Sequence, residues 1–273
     1  MVATRATPAR YGKDSWAVIT GCTDGIGAAI GHHLAKQGFN IVLISRTLTK
    51  LEDMAKEFKK SAESKGKTIQ TKIVQIDFSD PKYLEASTWE KVYQRDLASL
   101  DISILVNNAG TAQSNHFCWI EDKDVHDIVV CNTFGVIALT HQVLDNFRRR
   151  YRKEGKRSLI CSTSSISSIA PAPFGQAYGA SKKFVNVLTQ SLMLECKADN
   201  IDVTAWVPST ISTRLTNYKK DFMTIKTDSF ARQALSRSYS GISTGNFLHD
   251  IMLYFIQIPM SFTSIKYHPM GMF

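Results

Sequence analysis

The sequence lacks the residue patterns that mark secreted, disulfide-stapled or metal-binding proteins. Its five cysteines stand apart with no paired spacing, which argues against both a disulfide framework and a zinc site. The seven histidines form no ligand cluster; the adjacent His32 and His33 point to different sides of a predicted helix, where we expect them to be partly exposed. We therefore expect reduced thiols, no metal site and a protein that faces the cytosol.

Long uninterrupted hydrophobic runs are also scarce. Residues 1–15 are polar and basic, so the sequence predicts neither an amino-terminal signal nor a spanning helix there. Residues 247–265 are strongly apolar, but polar residues and Pro259 break the stretch, which does not meet the requirements of a transmembrane helix. A helix packed on the domain, a lid over a ligand and a helix at a membrane interface all fit this tail.

The charge is unbalanced, with a formal net charge of +9. Much of it lies in the basic segment 148–157, which we place at the end of a helix and in the loop after it. Basic side chains at a helix carboxyl terminus favour the macrodipole, so the simplest interpretation is a solvated helix end. Attraction to anionic lipid or to a polyanionic substrate is the alternative. Nucleic acid is not an expected partner, because no aromatic-interleaved basic groove accompanies the charge.

Apolar strands alternate with amphipathic helices six times along the chain. The strands are expected at 16–20, 40–44, 72–76, 102–106, 158–162 and 201–207. The helices between them are expected up to about Gln37, at 51–64, at 80–99, from Asp124 to the basic segment, and at 178–196. This alternation predicts an α/β fold: a single Rossmann-like, doubly wound parallel sheet with helices on both faces.

The pattern dissolves after the sixth strand. We expect a loop or short helices at 209–226, a helix at 229–237 and a turn-rich strand or loop at 241–246. No linker interrupts the 273 residues, and 44% of them are hydrophobic, which is enough to bury one large core.

Three glycines, Gly21, Gly25 and Gly27, separate the first strand from the helix that follows it. Glycines at this junction allow a tight turn and let the backbone approach a pyrophosphate. The free N–H groups and the dipole of the helix then favour the anion. The flanking strand and helix make the motif specific for a dinucleotide.

The ends of the next two strands carry side chains that suit the adenosine half of a dinucleotide. An NAD site of this kind places an acidic residue after the second strand, but here Ser45 is neutral and Arg46 is cationic. Arg46 suits a 2′-phosphate by charge and by geometry, so NADP is the predicted cofactor, with a loop-capping arginine as the alternative. Asp77, after the third strand, is either an acceptor for the adenine amino group or a turn residue.

Polar residues at the ends of later strands and inside one helix are candidate binding or catalytic residues. The turn 107–110 follows the fourth strand and includes Asn108, where a ligand crevice or a simple turn would fit. Asn132 lies in an otherwise apolar helix, a position where an amide either pairs with neighbouring backbone or has a function. Ser165 follows the fifth strand and lies 13 residues before Tyr178 in sequence, close enough for the two hydroxyls to meet over one substrate oxygen.

Tyr178 and Lys182 stand four residues apart, on one face of the predicted helix. A lysine ammonium beside a phenol favours the phenolate, so we expect Lys182 to lower the pKa of Tyr178 and make it a general acid or base. A solvated helix face explains most such pairs, and the surrounding motifs favour the catalytic interpretation.

These motifs occur in the order found in the short-chain dehydrogenase/reductase family, which the chain resembles over roughly residues 15–213. The shared motifs are Thr20-Gly21-x-x-x-Gly25-x-Gly27, Asn107-Asn108-Ala109-Gly110, Asn132, Ser165 and Tyr178-x-x-x-Lys182. Finer detail, such as Leu43-Ile44-Ser45-Arg46, is similar to the branch that contains very-long-chain 3-oxoacyl-CoA reductases and 17β-hydroxysteroid dehydrogenases. That branch usually begins with a membrane-spanning segment, which residues 1–15 do not supply.

The resemblance implies a mechanism of ketone reduction. Tyr178 would protonate the carbonyl oxygen as a nicotinamide delivers hydride, and Ser165 would hydrogen-bond that oxygen. Lys182 would also hold the nicotinamide ribose, and Asn132 would steady a water that restores the proton. The implied cofactor-binding residues are Gly21, Thr23, Gly25, Ile26, Gly27, Arg46, Asp77, Asn108, Lys182, Ile211 and Thr213.

The resemblance also bounds the partners and the organisation. The substrate would be an apolar lipid ketone, either a 3-oxoacyl-CoA or an oxo-steroid, and the alternative is a catalytically silent dinucleotide-binding or scaffold protein. We expect an extension at 1–14, a dinucleotide-binding and catalytic core at 15–213, and substrate-covering elements with an apolar tail at 214–273. The family often forms homodimers, and the cytoplasmic side of the endoplasmic reticulum membrane is the expected location.

Overall fold

A computed structural model describes residues 6–170, 173–218, 224–238, 241–247 and 249–251. Its strands are β1 (Trp16–Thr20), β2 (Asn40–Ser45), β3 (Thr71–Gln75), β4 (Ile102–Asn107), β5 (Ser158–Thr163), β6 (Ile201–Trp206), β7 (Ile211–Ser212), β8 (Ile225–Lys226) and β9 (Gly241–Ser243). Seven of them form one parallel sheet in the order β3-β2-β1-β4-β5-β6-β9. β7 and β8 pair separately.

The helices that cover the sheet connect successive strands. They are α1 (Pro8–Tyr11), α2 (Gly25–Gln37), α3 (Leu48–Glu63), α4 (Ala86–Val92), α5 (Asp122–Val129), α6 (Gly135–Glu154), α7 (Gln176–Glu195) and α8 (Thr227–Ser236). The strand order reverses between β1 and β4, and a doubly wound sheet has its ligand crevice at this reversal, outside the carboxyl ends of the strands.

Successive strand residues point to opposite faces of the sheet, and both faces are buried. On one face Ile19 packs in a cluster with Phe58 of α3. On the other face Val18 packs in a cluster with Phe147 of α6. The predicted Rossmann-like sheet with helices on both faces is therefore confirmed, and the near-continuous apolar strands are explained by double-sided burial.

Two predicted helices contain π turns. The helix expected at 80–99 is a 3₁₀ turn (Pro81–Leu84), then α4, then a π turn at Tyr93–Leu97; Asp80 caps its start by accepting the Lys82 N–H at 3.1 Å. The helix expected from Asp124 starts at Asp122 and has a π turn, Val130–Phe134, between α5 and α6. Such turns are frequent at functional sites, and the second one carries Asn132.

The amino-terminal extension is tied to the body of the fold. The Tyr11 hydroxyl donates to Asp202 Oδ2 at 2.8 Å, and Arg10 pairs with the same oxygen at 2.8 Å. The buried Arg150 donates to the Tyr11 carbonyl at 2.5 Å and to Asp101 at 2.7 Å. Because Asp101 and Asp202 lie where β4 and β6 begin, the extension docks at the sheet edge opposite the ligand crevice.

The basic segment 148–157 is largely neutralised by acidic neighbours. Arg148 pairs with Glu195 and Asp199, and Arg157 lies 3.9 Å from Asp202. Together with the burial of Arg150, these ion pairs make the segment a structural network, and the expectation of a simply solvated helix end is wrong for Arg150. The segment precedes β5 and so lies away from the carboxyl strand ends.

The continuous helix Asp122–Glu154 is 33 residues long and is the one helix in the described part of the chain that could cross a membrane by length and composition. Its most apolar window has a hydropathy of 1.4, and half of that window is buried. Core helices of soluble folds pass the same test, and this helix packs against β4 and β5.

The carboxyl-terminal predictions are met only in part. The helix expected at 229–237 is α8, and the expected strand or loop at 241–246 contains β9. The apolar tail predicted at 247–265 falls outside the described residues from 252 onward, as do residues 219–223 of the predicted loop.

Candidate active site

Helix α7 brings Tyr178 and Lys182 together at the carboxyl end of β5. The helix begins at Gln176, two residues before the predicted start, and the two side chains lie one turn apart. Lys182 Nζ lies 5.7 Å from the centroid of the Tyr178 ring and donates to the Thr163 carbonyl at 2.9 Å. Lys182 is buried, whereas Tyr178 is half-buried.

The electrostatics of this pair differ from the sequence prediction. Burial raises the pKa of the Tyr178 phenol, and a hydrogen bond with Ser165 offsets part of that rise. Burial lowers the pKa of the Lys182 ammonium to about 8. The direction is therefore opposite to the prediction that Lys182 lowers the pKa of Tyr178, because desolvation is the largest influence on this phenol. The phenol keeps its proton at neutral pH, which is the state that a proton donor requires.

Ser165 lies beside the phenol because the chain turns sharply after β5. It is the N-cap of a 3₁₀ turn (Ile166–Ser168), and its Oγ accepts the Ser167 N–H at 3.2 Å. The same side chain hydrogen-bonds Tyr178. The structure thus brings together the two hydroxyls that the sequence separates by one loop, and both can face one oxygen atom.

The side-chain amide of Asn132 forms its hydrogen bonds with other groups of the protein. Its Oδ1 accepts the Thr111 N–H at 2.9 Å, and its Nδ2 donates to the Thr111 carbonyl at 2.9 Å and to Ser181 Oγ at 3.0 Å. Ser181 Oγ in turn donates to the Tyr178 carbonyl at 2.7 Å. Asn132 is fully buried, so this amide ties the loop after β4 to the helix that carries Tyr178.

Asn132 also lies near the lysine. A Cβ placed on Gly110 would lie 3.1 Å from Asn132 Oδ1 and 3.2 Å from Lys182 Nζ. Gly110 therefore leaves room for both the amide and the ammonium, because a side chain there would crowd them.

The glycine loop between β1 and α2 is too tight for side chains. Gly21 has a left-handed backbone with φ of 61°, and a Cβ on Gly27 would lie 2.3 Å from the Gly21 carbonyl oxygen. The Gly25 N–H donates to the Asp24 side chain at 2.6 Å, whereas the next N–H groups in the first turn of α2 have no intrahelical acceptor and can face an anion. These features fit the pyrophosphate of a dinucleotide.

Asn108 holds the glycine loop in place. Its Nδ2 donates to the carbonyls of Thr20 and Gly21 at 3.2 and 3.1 Å, and its Oδ1 accepts from Thr163 Oγ1 at 3.1 Å. The side chain predicted to bind the cofactor is thus engaged with the protein. Its position couples the first, fourth and fifth strand ends at the crevice.

The side chains expected around adenosine lie at neighbouring strand ends. Arg46 follows β2 and is exposed, and within the described residues its guanidinium has no hydrogen-bond or ion-pair partner. Asp77 follows β3, and its Oδ1 accepts from the N–H and hydroxyl of Ser79 at 3.1 and 2.8 Å. Thr23 Oγ1 lies 3.2 Å from Ser45 Oγ, which links the glycine loop to the end of β2.

The remaining predicted positions lie near the start of α2. Ile26 is partly buried against the sheet core. A Cβ on Gly25 would lie 3.2 Å from Thr213 Cγ2, so the segment after β6 crosses the glycine loop. Ile211 is buried in β7, and its carbonyl accepts from Thr216 Oγ1 at 2.6 Å. The structure therefore brings all predicted residues to one edge of the sheet.

Four supporting residues were missed by sequence reasoning. Thr20 Oγ1 accepts the N–H groups of Asn108 and Ala109, both at 2.9 Å. Thr111 and Ser181 hold Asn132, and Thr163 holds Lys182 and Asn108. Polar residues at the ends of buried strands were the available signal for Thr20 and Thr163. No local pattern marked the other two, because their partners are distant in sequence.

The doubly wound sheet, the glycine cradle and the Tyr178–Lys182 pair define an oxidoreductase that uses a nicotinamide dinucleotide. A sequence profile of the family described as short chain dehydrogenase matches residues 15–224. The chain belongs to the short-chain dehydrogenase/reductase family and is an enzyme of that family.

Relatives in this family fall into the two groups that the sequence resembles. The 17-beta-hydroxysteroid dehydrogenase type 3 of Homo sapiens is 34% identical over 248 residues, which cover 89% of this chain and 74% of the relative. The very-long-chain 3-oxoacyl-CoA reductase of Schizosaccharomyces pombe is 36% identical over 229 residues, which cover 82% of this chain and 64% of that longer protein.

A solved structure shares the fold. The short-chain dehydrogenase from Sphingobium yanoikuyae in complex with NADPH superposes with a TM-score of 0.72 at 24% sequence identity. The superposition covers 95% of this chain and 98% of that one.

Proposed function

We propose that the protein reduces the ketone of an apolar lipid to the alcohol, with NADPH as the reductant. The observation that carries this proposal is the protonated Tyr178 phenol held beside Ser165 and Lys182 at the ligand crevice. The relatives named above act on steroids or on 3-oxoacyl-CoA, so a 3-oxoacyl-CoA or an oxo-steroid is the proposed substrate.

The bound dinucleotide would supply hydride to the carbonyl carbon, and the chain's own residues would manage the proton. Tyr178 donates its hydroxyl proton to the carbonyl oxygen, and Ser165 hydrogen-bonds the same oxygen as negative charge develops. Lys182 places its positive charge near the phenolate that forms, and it would hold the nicotinamide ribose. Asn132 positions the loop after β4 and would steady the water that returns the proton.

The preference for NADP depends on Arg46. Its guanidinium is exposed at the end of β2, where a 2′-phosphate would lie, and Ser45 leaves no carboxylate there to bind a free ribose hydroxyl. Gly21, Thr23, Gly25, Ile26 and Gly27 would cradle the pyrophosphate, with Asp77 near the adenine, Asn108 behind the loop, and Ile211 and Thr213 over the nicotinamide end.

We further infer a homodimer and a cytoplasmic location. Helices α5, α6 and α7 expose Val129, Ile137 and Val187, side chains that a partner subunit would cover. The thiols of all five cysteines are free, which suits a reducing compartment. Residues 214–273 are proposed to cover the substrate, and contact of their apolar tail with the endoplasmic reticulum membrane stays a prediction.

A kinetic screen tests the proposed reaction. Purified protein with NADPH would be offered 3-oxoacyl-CoAs and oxo-steroids. The oxidation of NADPH would be followed by the loss of its nicotinamide absorbance. We expect Tyr178→Phe to lower kcat by a factor of about 100 or more, because general acid catalysis is lost. Thermal unfolding should be unchanged.

The control is Tyr151→Phe, since Tyr151 lies near the end of α6, away from the crevice. It should keep full activity. Retention of most activity by Tyr178→Phe would refute the assigned acid, and turnover of neither substrate class would refute the proposed reaction.

A further inference from the structure

Three aromatic rings contact one another on the protein surface beside the candidate site. The centroid of the His116 ring lies 4.3 Å from that of Trp119 and 4.8 Å from that of Phe174, and both contacts are edge-to-face. Trp119 is 66% exposed and Phe174 43% exposed, although large aromatic side chains usually gain stability from burial. An exposed apolar patch of this kind indicates a binding surface. We refer to these three residues as the aromatic stack.

The aromatic stack lies at the mouth of the crevice because two segments meet there. The Asn115 N–H donates to the Phe174 carbonyl at 3.1 Å, joining the loop after β4 to the segment before α7. The same loop starts at Thr111, which is hydrogen-bonded to Asn132. Phe174 lies four residues before Tyr178 in sequence and just before α7 begins, so the rings lie where the chain leaves β4 and β5, on the side that carries Tyr178.

The backbone at Phe174 is strained in order to present its ring. Its φ is 65°, a left-handed conformation that is unfavourable for a bulky residue. Gly175, which has no such restriction, is the next residue and adopts a φ of −125°. Backbone strain of this kind, held in place by the surrounding structure, is found most often at functional sites.

The charges beside the aromatic stack limit what can bind there. Glu121 lies two residues after Trp119 and is the N-cap of α5, and the first turn of α5 contains Asp122 and Asp124. Lys123 in that turn is paired with Asp127. An anionic group, such as a lipid phosphate or the phosphates of coenzyme A, would meet these carboxylates and be repelled. The complementary ligand group is therefore apolar and uncharged.

We propose that the aromatic stack binds the apolar, uncharged end of the ketone substrate: the distal rings of an oxo-steroid or the acyl chain of a 3-oxoacyl-CoA. This inference rests on the proposed function. A coenzyme A moiety would then leave the crevice away from α5, with its phosphates clear of the acidic turn. The stack sets substrate size preference and takes no part in proton transfer.

The test is Trp119→Ala, assayed with a small cyclic ketone, an oxo-steroid and 3-oxoacyl-CoAs of increasing chain length. We expect kcat/KM for the large substrates to fall on the order of 10-fold through KM, because an apolar contact is lost. The value for the small ketone should not change. Trp119→Phe, which keeps a ring, should restore most of the loss.

The matched control is Phe117→Ala, because Phe117 lies in the same 3₁₀ turn and is 59% exposed but makes no ring contact with the stack. It should behave as wild type. An equal loss in both alanine variants, or an equal loss for small and large ketones, would overturn the proposal. Loss of binding to phosphatidylcholine vesicles by Trp119→Ala, with an unchanged size preference, would identify a membrane contact instead and also overturn it.

Direct binding separates this inference from the proposed function. Quenching of tryptophan fluorescence by a non-reacting apolar steroid should be strong in the wild type and weak in Trp119→Phe. Quenching without any ketone reduction would refute the proposed reaction but would still support binding of an apolar ligand by the aromatic stack. If neither quenching nor a size preference is seen, the aromatic stack is not a substrate subsite.

Discussion

Lys182 occupies an unusual position for a charged side chain. It is 4% exposed, its Nζ has Thr163 as a hydrogen-bond acceptor, and burial lowers the pKa of its ammonium to about 8. A buried ammonium without a carboxylate partner costs folding free energy. The protein therefore carries a stability cost at the residue that would support the phenolate of Tyr178 and hold the ribose.

This cost predicts an unusual pH dependence for Lys182→Met. Below pH 8 the ammonium is charged in both the folded and the unfolded chain, so the folded state bears the full cost. Between pH 8 and 10.5 the unfolded chain still binds the proton, so the free energy of unfolding of the wild type rises with pH. We expect the variant to be more stable at pH 7 by about 2 kcal/mol, with the difference shrinking toward pH 10.

Urea unfolding at both pH values measures this difference. The control is Lys183→Met, because Lys183 is exposed on the same helix and should show no pH-dependent change. A Lys182→Met variant that is destabilised equally at pH 7 and pH 10 would contradict the assigned cost.

We propose that Arg46, also at the residue scale, sets the preference for NADP. Replacing it with alanine removes the cation that would meet the 2′-phosphate, so we expect NADPH binding to weaken by about 1.5 to 3 kcal/mol, the range of a charge-assisted hydrogen bond. NADH binding should change little. Fluorescence titrations with both cofactors measure the ratio, and an equal loss for the two would remove the 2′-phosphate assignment.

At the scale of the element, two of the three glycines in α2, Gly27 and Gly31, have different neighbours. A Cβ on Gly27 would lie 2.3 Å from the backbone oxygen of Gly21, whereas a Cβ on Gly31 would lie 2.1 Å from the side chain of Phe58. The backbone of the glycine loop has little freedom to move away from an added Cβ. The Phe58 ring, in contrast, is a side chain that packs between α2 and α3. We therefore propose that Gly27 serves dinucleotide binding, whereas Gly31 serves helix packing.

The pair Gly27→Ala and Gly31→Ala separates these roles. We expect both substitutions to lower the unfolding temperature, since overpacking costs about 1 to 3 kcal/mol. Only Gly27→Ala should also weaken NADPH binding, by about tenfold or more, because it displaces the loop that cradles the pyrophosphate. Equal NADPH affinity in the two variants would show that the loop tolerates the shift.

The π turn at Val130–Phe134, like the one at Tyr93–Leu97, is an element that the sequence pattern did not predict. The apolar periodicity of α5 and α6 continues through it, so the pattern predicts one uninterrupted helix. The turn sets Asn132 against the loop after β4, where its amide finds Thr111 and Ser181. A long-range partner decides this local geometry, and no short stretch of sequence records it.

At the scale of the whole molecule, the amino-terminal extension packs against the amino-terminal ends of β4 and β6, opposite the candidate site. Asp202, with 7% exposure, accepts from Arg10 and Tyr11 and faces Arg157. We expect Asp202→Ala to lower the free energy of unfolding by about 1 to 3 kcal/mol, because it leaves the buried Tyr11 hydroxyl without its acceptor and the half-buried Arg10 without its ion pair. Activity per folded molecule should be unchanged, since the network lies away from the crevice.

Asp228→Ala is the matched comparison. Asp228 has a side chain that is 74% exposed and pairs only with His33, so its removal should cost less than about 1 kcal/mol. Urea unfolding of both variants measures the contrast. Similar stabilities would mean that the extension is not held by this network.

The sequence by itself determined the doubly wound sheet and the glycine turn after its first strand, and it predicted the site residues. Strand and helix periodicities are local, and the Gly21–Gly27 and Tyr178–Lys182 spacings lie within single turns or helices. Only the tertiary structure decided the direction of the Tyr178 pKa, the burial of Arg150 and the ring contacts of Trp119. Desolvation and long-range pairing depend on what surrounds a group in space, and neighbours in sequence do not supply that.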